Sequence, residues 1–139
     1  VKSKTKYHHA DDAMIETLVG MAQGYPGSNN IPLLEGEGGY GSRLGGGKDH
    51  AAGRYLKGRG SPVLRFIFRP EDDILLEPVY EDGDQICVKT YYPIIPIQSV
   101  NRAMGVGWGW SSDTPNYHPF DVMDTIKAFI AHIKDGKNK

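Results

Sequence analysis

Residues 36–55 read Gly-Glu-Gly-Gly-Tyr-Gly-Ser-Arg-Leu-Gly-Gly-Gly-Lys-Asp-His-Ala-Ala-Gly-Arg-Tyr. The glycines let the backbone adopt positive φ and approach a large ligand closely. The stretch carries Arg43, Lys48 and Arg54, and arginine binds phosphate oxygens through paired hydrogen bonds. It ends on Tyr55, whose hydroxyl is either a hydrogen-bond donor or a nucleophile. The pattern predicts a loop that lies against a phosphate backbone and offers a hydroxyl to it.

Two glycine patterns inside this stretch are similar to nucleotide-binding signatures. Gly36-x-Gly38-x-x-Gly41 matches a dinucleotide pattern, but the predicted strand before it is short and no helix is predicted directly after it. Gly45-Gly46-Gly47-Lys48 resembles a phosphate-binding loop, yet Asp49 occupies the place of the required Ser or Thr. A nucleotide-binding enzyme is therefore a disfavoured alternative.

Length and composition limit the class of protein. The 139 residues fit one domain that buries roughly two-thirds of its unfolded surface. Cys87 is alone, which excludes a disulfide framework and favours a reducing compartment. No segment approaches the roughly 20 apolar residues of a membrane span, and the start shows no signal peptide. Because the chain begins without methionine, we expect a fragment of a longer intracellular protein.

The formal net charge is only −1, but the charges are unevenly distributed. Residues 43–69 carry one acid, Asp49, and seven cations: Arg43, Lys48, Arg54, Lys57, Arg59, Arg65 and Arg69. Residues 71–84 form an acidic run. One basic face is enough to supply a footprint for a polyanion. Two ordinary solvated patches are the alternative interpretation.

Periodicity and turn signals predict an α+β fold. Asp82-Gly83 between two apolar runs favours a hairpin. The predicted elements are a helix over 10–23, strands over 30–34 and 54–57 around a long loop over 35–53, a helix over 62–68, hairpin strands over 75–80 and 86–92, an extended segment over 93–97, a second glycine-rich loop over 102–110 and an amphipathic helix over 120–133.

Several motifs, in order along the chain, resemble the active-site region of type IIA DNA topoisomerases, the eukaryotic and viral enzymes in particular. The resemblance covers about residues 6–130. The matching motifs are Lys6-Tyr7-His8-His9, Ala22-Gln23, Gly27-Ser28-Asn29-Asn30, Gly41-Ser42-Arg43-Leu44, Gly47-Lys48-Asp49, Arg54-Tyr55, Pro93-Ile94-Ile95-Pro96, Asn101, Gly105, Gly107 and Gly109-Trp110.

The resemblance implies a winged-helix domain, a helix-turn-helix with a β wing, over residues 1–92. Residues 93–139 would then begin an α/β tower domain that includes a DNA-bending loop. The helix at residues 11–23 would be the recognition helix, set in the major groove.

The resemblance also assigns catalytic roles. Tyr55 would attack a DNA phosphate and form a transient 5′-phosphotyrosyl link. A phenol becomes a useful nucleophile when a base takes its proton and cations stabilise the developing charge. Arg54 would hold the scissile phosphate, and His9 would lie near that phosphate or its 3′ oxygen.

The residues expected to bind DNA are His8, Arg43, Lys48, Gln23, Ser28, Asn29 and Val106. For Gln23, Ser28 and Asn29, helix capping and turn formation are at least equal alternatives. Val106 matches a β-branched residue that wedges between bases and bends the duplex, whereas a core valine is the alternative. The chain departs from the family near this point, with Asn101-Arg102-Ala103-Met104 and with Trp108 in place of a small residue.

By the resemblance, the full enzyme acts on double-stranded DNA as a homodimer and uses Mg²⁺ and ATP. Both cofactors would be bound outside this fragment, which carries no expected metal ligand. We therefore expect the chain alone to bind DNA weakly and to cleave poorly. The expected location is the nucleus for a eukaryotic source, and the host nucleus or cytoplasm for a viral one. A non-catalytic winged-helix regulator remains the rival function.

Overall fold

The computed structural model describes residues 10–136, and these residues confirm the predicted α+β class. Short 3₁₀ turns lie at Gly53–Tyr55 and Pro70–Leu75. The helices are α1 (Asp11–Ala22), α2 (Leu64–Ile67), α3 (Ile97–Val100) and α4 (Pro119–Lys134), and the strands are β1 (Leu34–Glu37), β2 (Lys57–Gly60), β3 (Pro78–Glu81), β4 (Asp84–Val88), β5 (Ala103–Gly107) and β6 (Trp110–Thr114). The strands pair antiparallel in the order β1–β2, β3–β4 and β5–β6.

Helix α1 confirms the prediction for residues 10–23. Asp11 and Asp12 occupy its first turn, where negative charge favours the helix dipole. Its end is closed by Asn29, whose Nδ2 donates to the carbonyl oxygens of Gly20 at 2.6 Å and Gln23 at 2.8 Å. The orphan carbonyls of a helix C-terminus are thereby satisfied by a side chain.

The strands of the first sheet lie later in the chain than predicted. The strand expected at 30–34 is found at Leu34–Glu37, and the one expected at 54–57 begins only at Lys57. Residues 53–55 form a 3₁₀ turn instead, in which the Tyr55 amide donates to the Ala52 carbonyl at 2.8 Å. This turn delivers Tyr55 just before β2, at the point where the loop rejoins the sheet.

The hairpin predicted around Asp82-Gly83 is confirmed as β3 and β4. Asp82 has φ 52° and Gly83 has φ 86°, the positive values that a type I′ turn needs at both central residues. The prediction that residues 102–110 form a second glycine-rich loop is wrong. They belong to the β5–β6 hairpin, in which Gly105 pairs with Ser112 and Gly107 with Trp110.

Helix α4 confirms the predicted amphipathic helix, and its Val122 enters a small core with Ile95 and the fully buried Val100. The half-buried side chains around this core are Ile31, Ile97, Met123 and Ile126. The Asn101 side chain also bonds to the backbone of Ile31. Its Nδ2 donates to the Ile31 carbonyl at 2.7 Å, and its Oδ1 accepts from the Ile31 backbone amide at 2.9 Å. Residues on both sides of position 92 thus share contacts, and the predicted domain boundary there stays a prediction.

Across residues 10–136, every helix is too short or too polar to cross a membrane.

Candidate nucleic-acid interface

Residues 38–52, here called the glycine loop, connect β1 to the 3₁₀ turn that carries Tyr55. The loop is held to the end of α1 by Gln23. The Gln23 Nε2 donates to the Tyr40 carbonyl at 2.8 Å and to the Gly47 carbonyl at 2.9 Å. Tyr25 in turn donates its hydroxyl to Gln23 Oε1 at 3.4 Å. The candidate recognition helix and the loop are therefore one connected unit.

Gly47 is buried at this junction and has φ 78°. A Cβ atom there would lie 2.5 Å from the Tyr25 hydroxyl and 2.6 Å from Gln23 Nε2. Both the backbone conformation and the available space therefore require glycine at this position.

Asp49 closes the loop on itself. One carboxylate oxygen accepts from the Ser42 amide at 2.9 Å and the other from the Ser42 hydroxyl at 2.6 Å. The hydroxyl bond, and next the amide bond, lower the pKa of the Asp49 carboxyl below its usual value. Asp49 therefore folds the segment between two of the predicted phosphate-binding cations, Arg43 and Lys48.

Tyr55 is 67% exposed, so it lies at the surface and not in the core. The Arg54 guanidinium carbon lies 5.0 Å from the centre of the Tyr55 ring, a cation–π arrangement. Within residues 10–136 the Tyr55 hydroxyl has no hydrogen-bond partner. Gly38, with φ 116°, lies against the Tyr55 carbonyl, which a Cβ atom would approach to 3.0 Å. The start of the loop and the tyrosine are thus in contact.

The basic run divides into two groups. Three of its arginines form ion pairs: Arg59 with Glu35 at 2.8 Å, Arg65 with Asp73 at 2.9 Å and Arg69 with Glu71 at 3.1 Å. The cations of the run that are exposed and form no ion pair with any residue in 10–136 are Arg43, Lys48, Arg54 and Lys57. The unneutralised charge is therefore concentrated on the glycine loop and the residues that follow it.

The remaining predicted contacts differ in what the structure shows. The Ser28 hydroxyl donates to the Tyr25 carbonyl at 2.6 Å, and Asn29 caps α1, so both side chains have the turn and capping roles that were the alternatives. A contact of either residue with DNA stays a prediction, as it does for Gln23. Val106 is 90% exposed on β5, which rules out the alternative of a core valine. His8 and His9 lie outside the described residues.

Two chemistries find little support in this part of the chain. Within residues 10–136 no three His, Cys, Asp or Glu side chains are grouped so that they can hold a metal ion. The loop after β1 runs from residue 38 to 52 without a helix, so the dinucleotide pattern lacks the helix N-terminus on which a pyrophosphate rests.

Sequence reasoning missed the supports of the loop: Tyr25, Ser42 and the carbonyl contacts of Gln23. The only available signal was the presence of polar side chains, Ser42 and Asp49, among so many glycines. The partners of Gln23 lie 17 and 24 residues away from it along the chain, beyond the reach of any local pattern.

The structure thus places an exposed tyrosine beside an arginine, directly after a loop that carries two further exposed cations and is bonded to the end of a helix. The chain belongs to the type IIA DNA topoisomerases: the family model for the A-type subunit of DNA gyrase/topoisomerase IV matches residues 1–137.

The chain is also similar to DNA topoisomerase 2 proteins of eukaryotes. The chain is 45% identical over 130 residues to DNA topoisomerase 2 of Bombyx mori, a match that covers 94% of this chain and 8% of that protein. It is 42% identical over 137 residues to a probable DNA topoisomerase 2 of Dictyostelium discoideum, a match that covers 99% of this chain and 9% of that protein. The chain thus spans less than a tenth of the length of these relatives.

Among solved structures, the fold is similar to the DNA-binding, cleavage and re-ligation domain of Plasmodium falciparum topoisomerase II. The TM-score is 0.84 at 42% identity, over 91% of this chain and 17% of that one. This similarity is consistent with the predicted winged-helix-like α+β arrangement.

Proposed function

We propose that this chain is the DNA-binding and DNA-cleavage portion of an ATP-dependent type II DNA topoisomerase, with Tyr55 as the nucleophile. The observation that carries the proposal is the exposed Tyr55 hydroxyl, adjacent in sequence to Arg54 and at the end of a clamped cationic loop. A tyrosine with a purely structural role would instead be packed in the core, and it would not require neighbouring cations without ion-pair partners.

The proposed step is a transesterification. The Tyr55 oxygen bonds to a DNA phosphorus while the bond from that phosphorus to the 3′ oxygen breaks. The tyrosine loses its proton and the departing 3′ oxygen gains one, so the number of phosphoester bonds is unchanged. Resealing is the same step in reverse and requires no external energy. His9 is proposed to assist near the 3′ oxygen.

The neighbouring cations take two roles. Arg54 lies over the Tyr55 ring, a contact worth about 0.5–1 kcal/mol at an exposed site. So weak a contact is readily exchanged for a bidentate bond to the scissile phosphate. Arg43 and Lys48 bind backbone phosphates near the cut, contacts that position a duplex and carry little sequence information.

The partners and cofactors of the whole enzyme are part of this proposal. The substrate is double-stranded DNA and the working form is a homodimer in which each protomer contributes one such tyrosine. We propose, as the family resemblance implies, that ATP and Mg²⁺ are bound by regions of the enzyme outside this chain. An intracellular location fits the same assignment.

The test is covalent capture by an enzyme that contains this chain. Tyr55→Phe removes the hydroxyl and keeps the ring, so we expect unchanged DNA binding and no detergent-trapped protein–DNA link. Arg54→Ala should lower the cleavage rate by about 10²–10³-fold. Arg59→Ala is the matched control, because Arg59 is already paired with Glu35, and should have little effect.

Equal capture by the Tyr55→Phe enzyme and the parent would exclude the assignment. The same assay tests the rival function, a winged-helix regulator without catalysis. Such a regulator would bind the duplex, but even the protein with Tyr55 intact would form no covalent link to DNA.

A further inference from the structure

The β5–β6 hairpin carries an apolar ridge formed by Met104, Val106 and Trp108. Met104 and Val106 alternate along β5 and therefore share one face. Trp108 follows in the two-residue turn that it forms with Gly109, whose φ is 74°. The three side chains are 70%, 90% and 102% exposed, so exposure increases towards the tip of the hairpin.

The two tryptophans of the chain have different environments. A Cβ atom on Gly107 would lie 2.5 Å from the indole of Trp110, so that ring packs closely over the glycine on the other face of the hairpin. Trp108 is fully exposed at the tip. A large indole left in water on a rigid turn is typical of a surface that another molecule covers.

The charges of residues 102–114 cancel, because they include one cation, Arg102, and one acid, Asp113. Asp113 is the one acidic residue in positions 102–114 and lies opposite Met104. Arg102 holds it with two hydrogen bonds, of 2.9 and 2.6 Å, which neutralise the carboxylate. The ridge therefore approaches a phosphate backbone without net repulsion from its own strands.

We propose that Trp108 acts together with Val106 as a second wedge residue and stacks its indole on a base next to the step that Val106 enters. This inference rests on the proposed function and specifies which side chains contact the bases of the bound duplex. Apolar wedges enter from the minor groove, and base–aromatic stacking tolerates any sequence because every base has a π-face.

Fluorescence tests the proposal, because the chain contains only two tryptophans. Trp110→Phe leaves Trp108 as the only tryptophan and Trp108→Phe leaves Trp110, and excitation beyond the tyrosine absorption band reports on that tryptophan alone. We expect a duplex added at low ionic strength to quench the Trp108 emission strongly and to leave the Trp110 emission nearly unchanged. Anisotropy of an end-labelled duplex measures binding in the same samples.

A second measurement separates stacking from charge. Trp108→Ser should weaken duplex binding about tenfold at every salt concentration, because stacking is an apolar contact. Lys48→Ala should instead reduce the slope of log affinity against log salt by about one. Trp108→Ser with full affinity and unchanged duplex bending would overturn the proposal.

The outcomes distinguish this inference from the function on which it rests. Duplex binding without quenching of Trp108 overturns the wedge role and leaves the cleavage assignment intact. Failure of the chain to bind any duplex at low salt overturns the wedge role, and covalent capture by an enzyme that contains this chain still tests the cleavage assignment separately. A blue-shifted Trp108 emission that depends on protein concentration in the absence of DNA would show that a second protein surface covers the ridge, and would also overturn the proposal.

Discussion

The glycine loop and the β5–β6 hairpin look alike in sequence and differ in structure. In the loop, four glycines have positive φ: Gly38, Gly41, Gly46 and Gly47. In the hairpin only Gly109, in the turn, has positive φ among the glycines. Gly105 and Gly107 are ordinary strand residues whose missing side chains leave room for Ser112 and Trp110. Glycine thus allows positive φ values in the loop, whereas in the hairpin it leaves room for neighbouring side chains.

The two regions also differ in how they are held. The glycine loop depends on side chains that bond to backbone, from Gln23 and Asp49. The hairpin depends on its own strand pairing and leaves Met104, Val106 and Trp108 uncovered. The loop is therefore fixed in one conformation by side chains, whereas the hairpin exposes side chains to solvent. Substitutions at Gly47, Gln23 and Asp49 test this contrast.

The largest expected effect on stability is at Gly47. Gly47→Ala places a Cβ against Tyr25 and Gln23 in a backbone conformation that alanine rarely adopts, and should cost about 2 kcal/mol. Gly105→Ala is the comparison in the hairpin. Its φ is not positive, and an added Cβ would meet only the Ser112 Oγ at 3.0 Å, at the end of a side chain that can rotate, so it should cost less, about 0.5–1 kcal/mol. Urea denaturation measures the free energy of unfolding of both variants. An equal decrease in the two would contradict the different roles of glycine in the loop and in the hairpin.

A somewhat smaller effect is expected at Gln23. Gln23→Glu keeps the shape but replaces the donor with a carboxylate that faces two carbonyl oxygens, so it should destabilise the loop by about 1.5 kcal/mol. Amide hydrogen exchange at Gly46, Gly47 and Lys48 should accelerate, while exchange in the β5–β6 hairpin should not. Unaltered exchange in the loop would contradict the role of Gln23 in holding the loop and would leave DNA contact as its remaining predicted role.

The smallest effect is a pH dependence at Asp49. Its pKa is lower in the folded chain than in the unfolded one because the Ser42 hydroxyl and amide donate to the carboxylate. The stabilisation is therefore complete above the unfolded pKa of about 4 and is lost as the pH falls through the folded value. The amide resonance of Ser42 should follow this titration, and Asp49→Asn should abolish the change. A Ser42 amide resonance that does not change with pH in the unsubstituted chain would contradict the hydrogen bonds between Asp49 and Ser42.

Local signals predicted much of the fold. The acidic start of α1, the Asp82-Gly83 turn and the apolar stripe of α4 each specify their elements within a few residues. The β5–β6 hairpin was misread because its turn is Trp108-Gly109, which lacks the usual Asn or Asp signal. Its strand alternation is also hidden, since Gly105 and Gly107 stand where apolar side chains would mark a face.

The site was predicted less completely than the fold. The Arg54-Tyr55 motif singled out two candidate residues whose catalytic roles stay predictions, and the structure adds that Tyr55 is exposed. No local pattern could show that Arg59, Arg65 and Arg69 are neutralised, because their partners depend on strand register and on side-chain reach. The supports of the loop were missed for the same reason.

The most direct test of the central claim is to identify the amino acid that carries the DNA. A cleavage complex of an enzyme containing this chain is trapped, digested with protease and nuclease, and sequenced by mass spectrometry. The account predicts one modified peptide, with a nucleotide joined through its 5′ phosphate to the oxygen of Tyr55. A link to any other tyrosine, or to a 3′ phosphate, would contradict it.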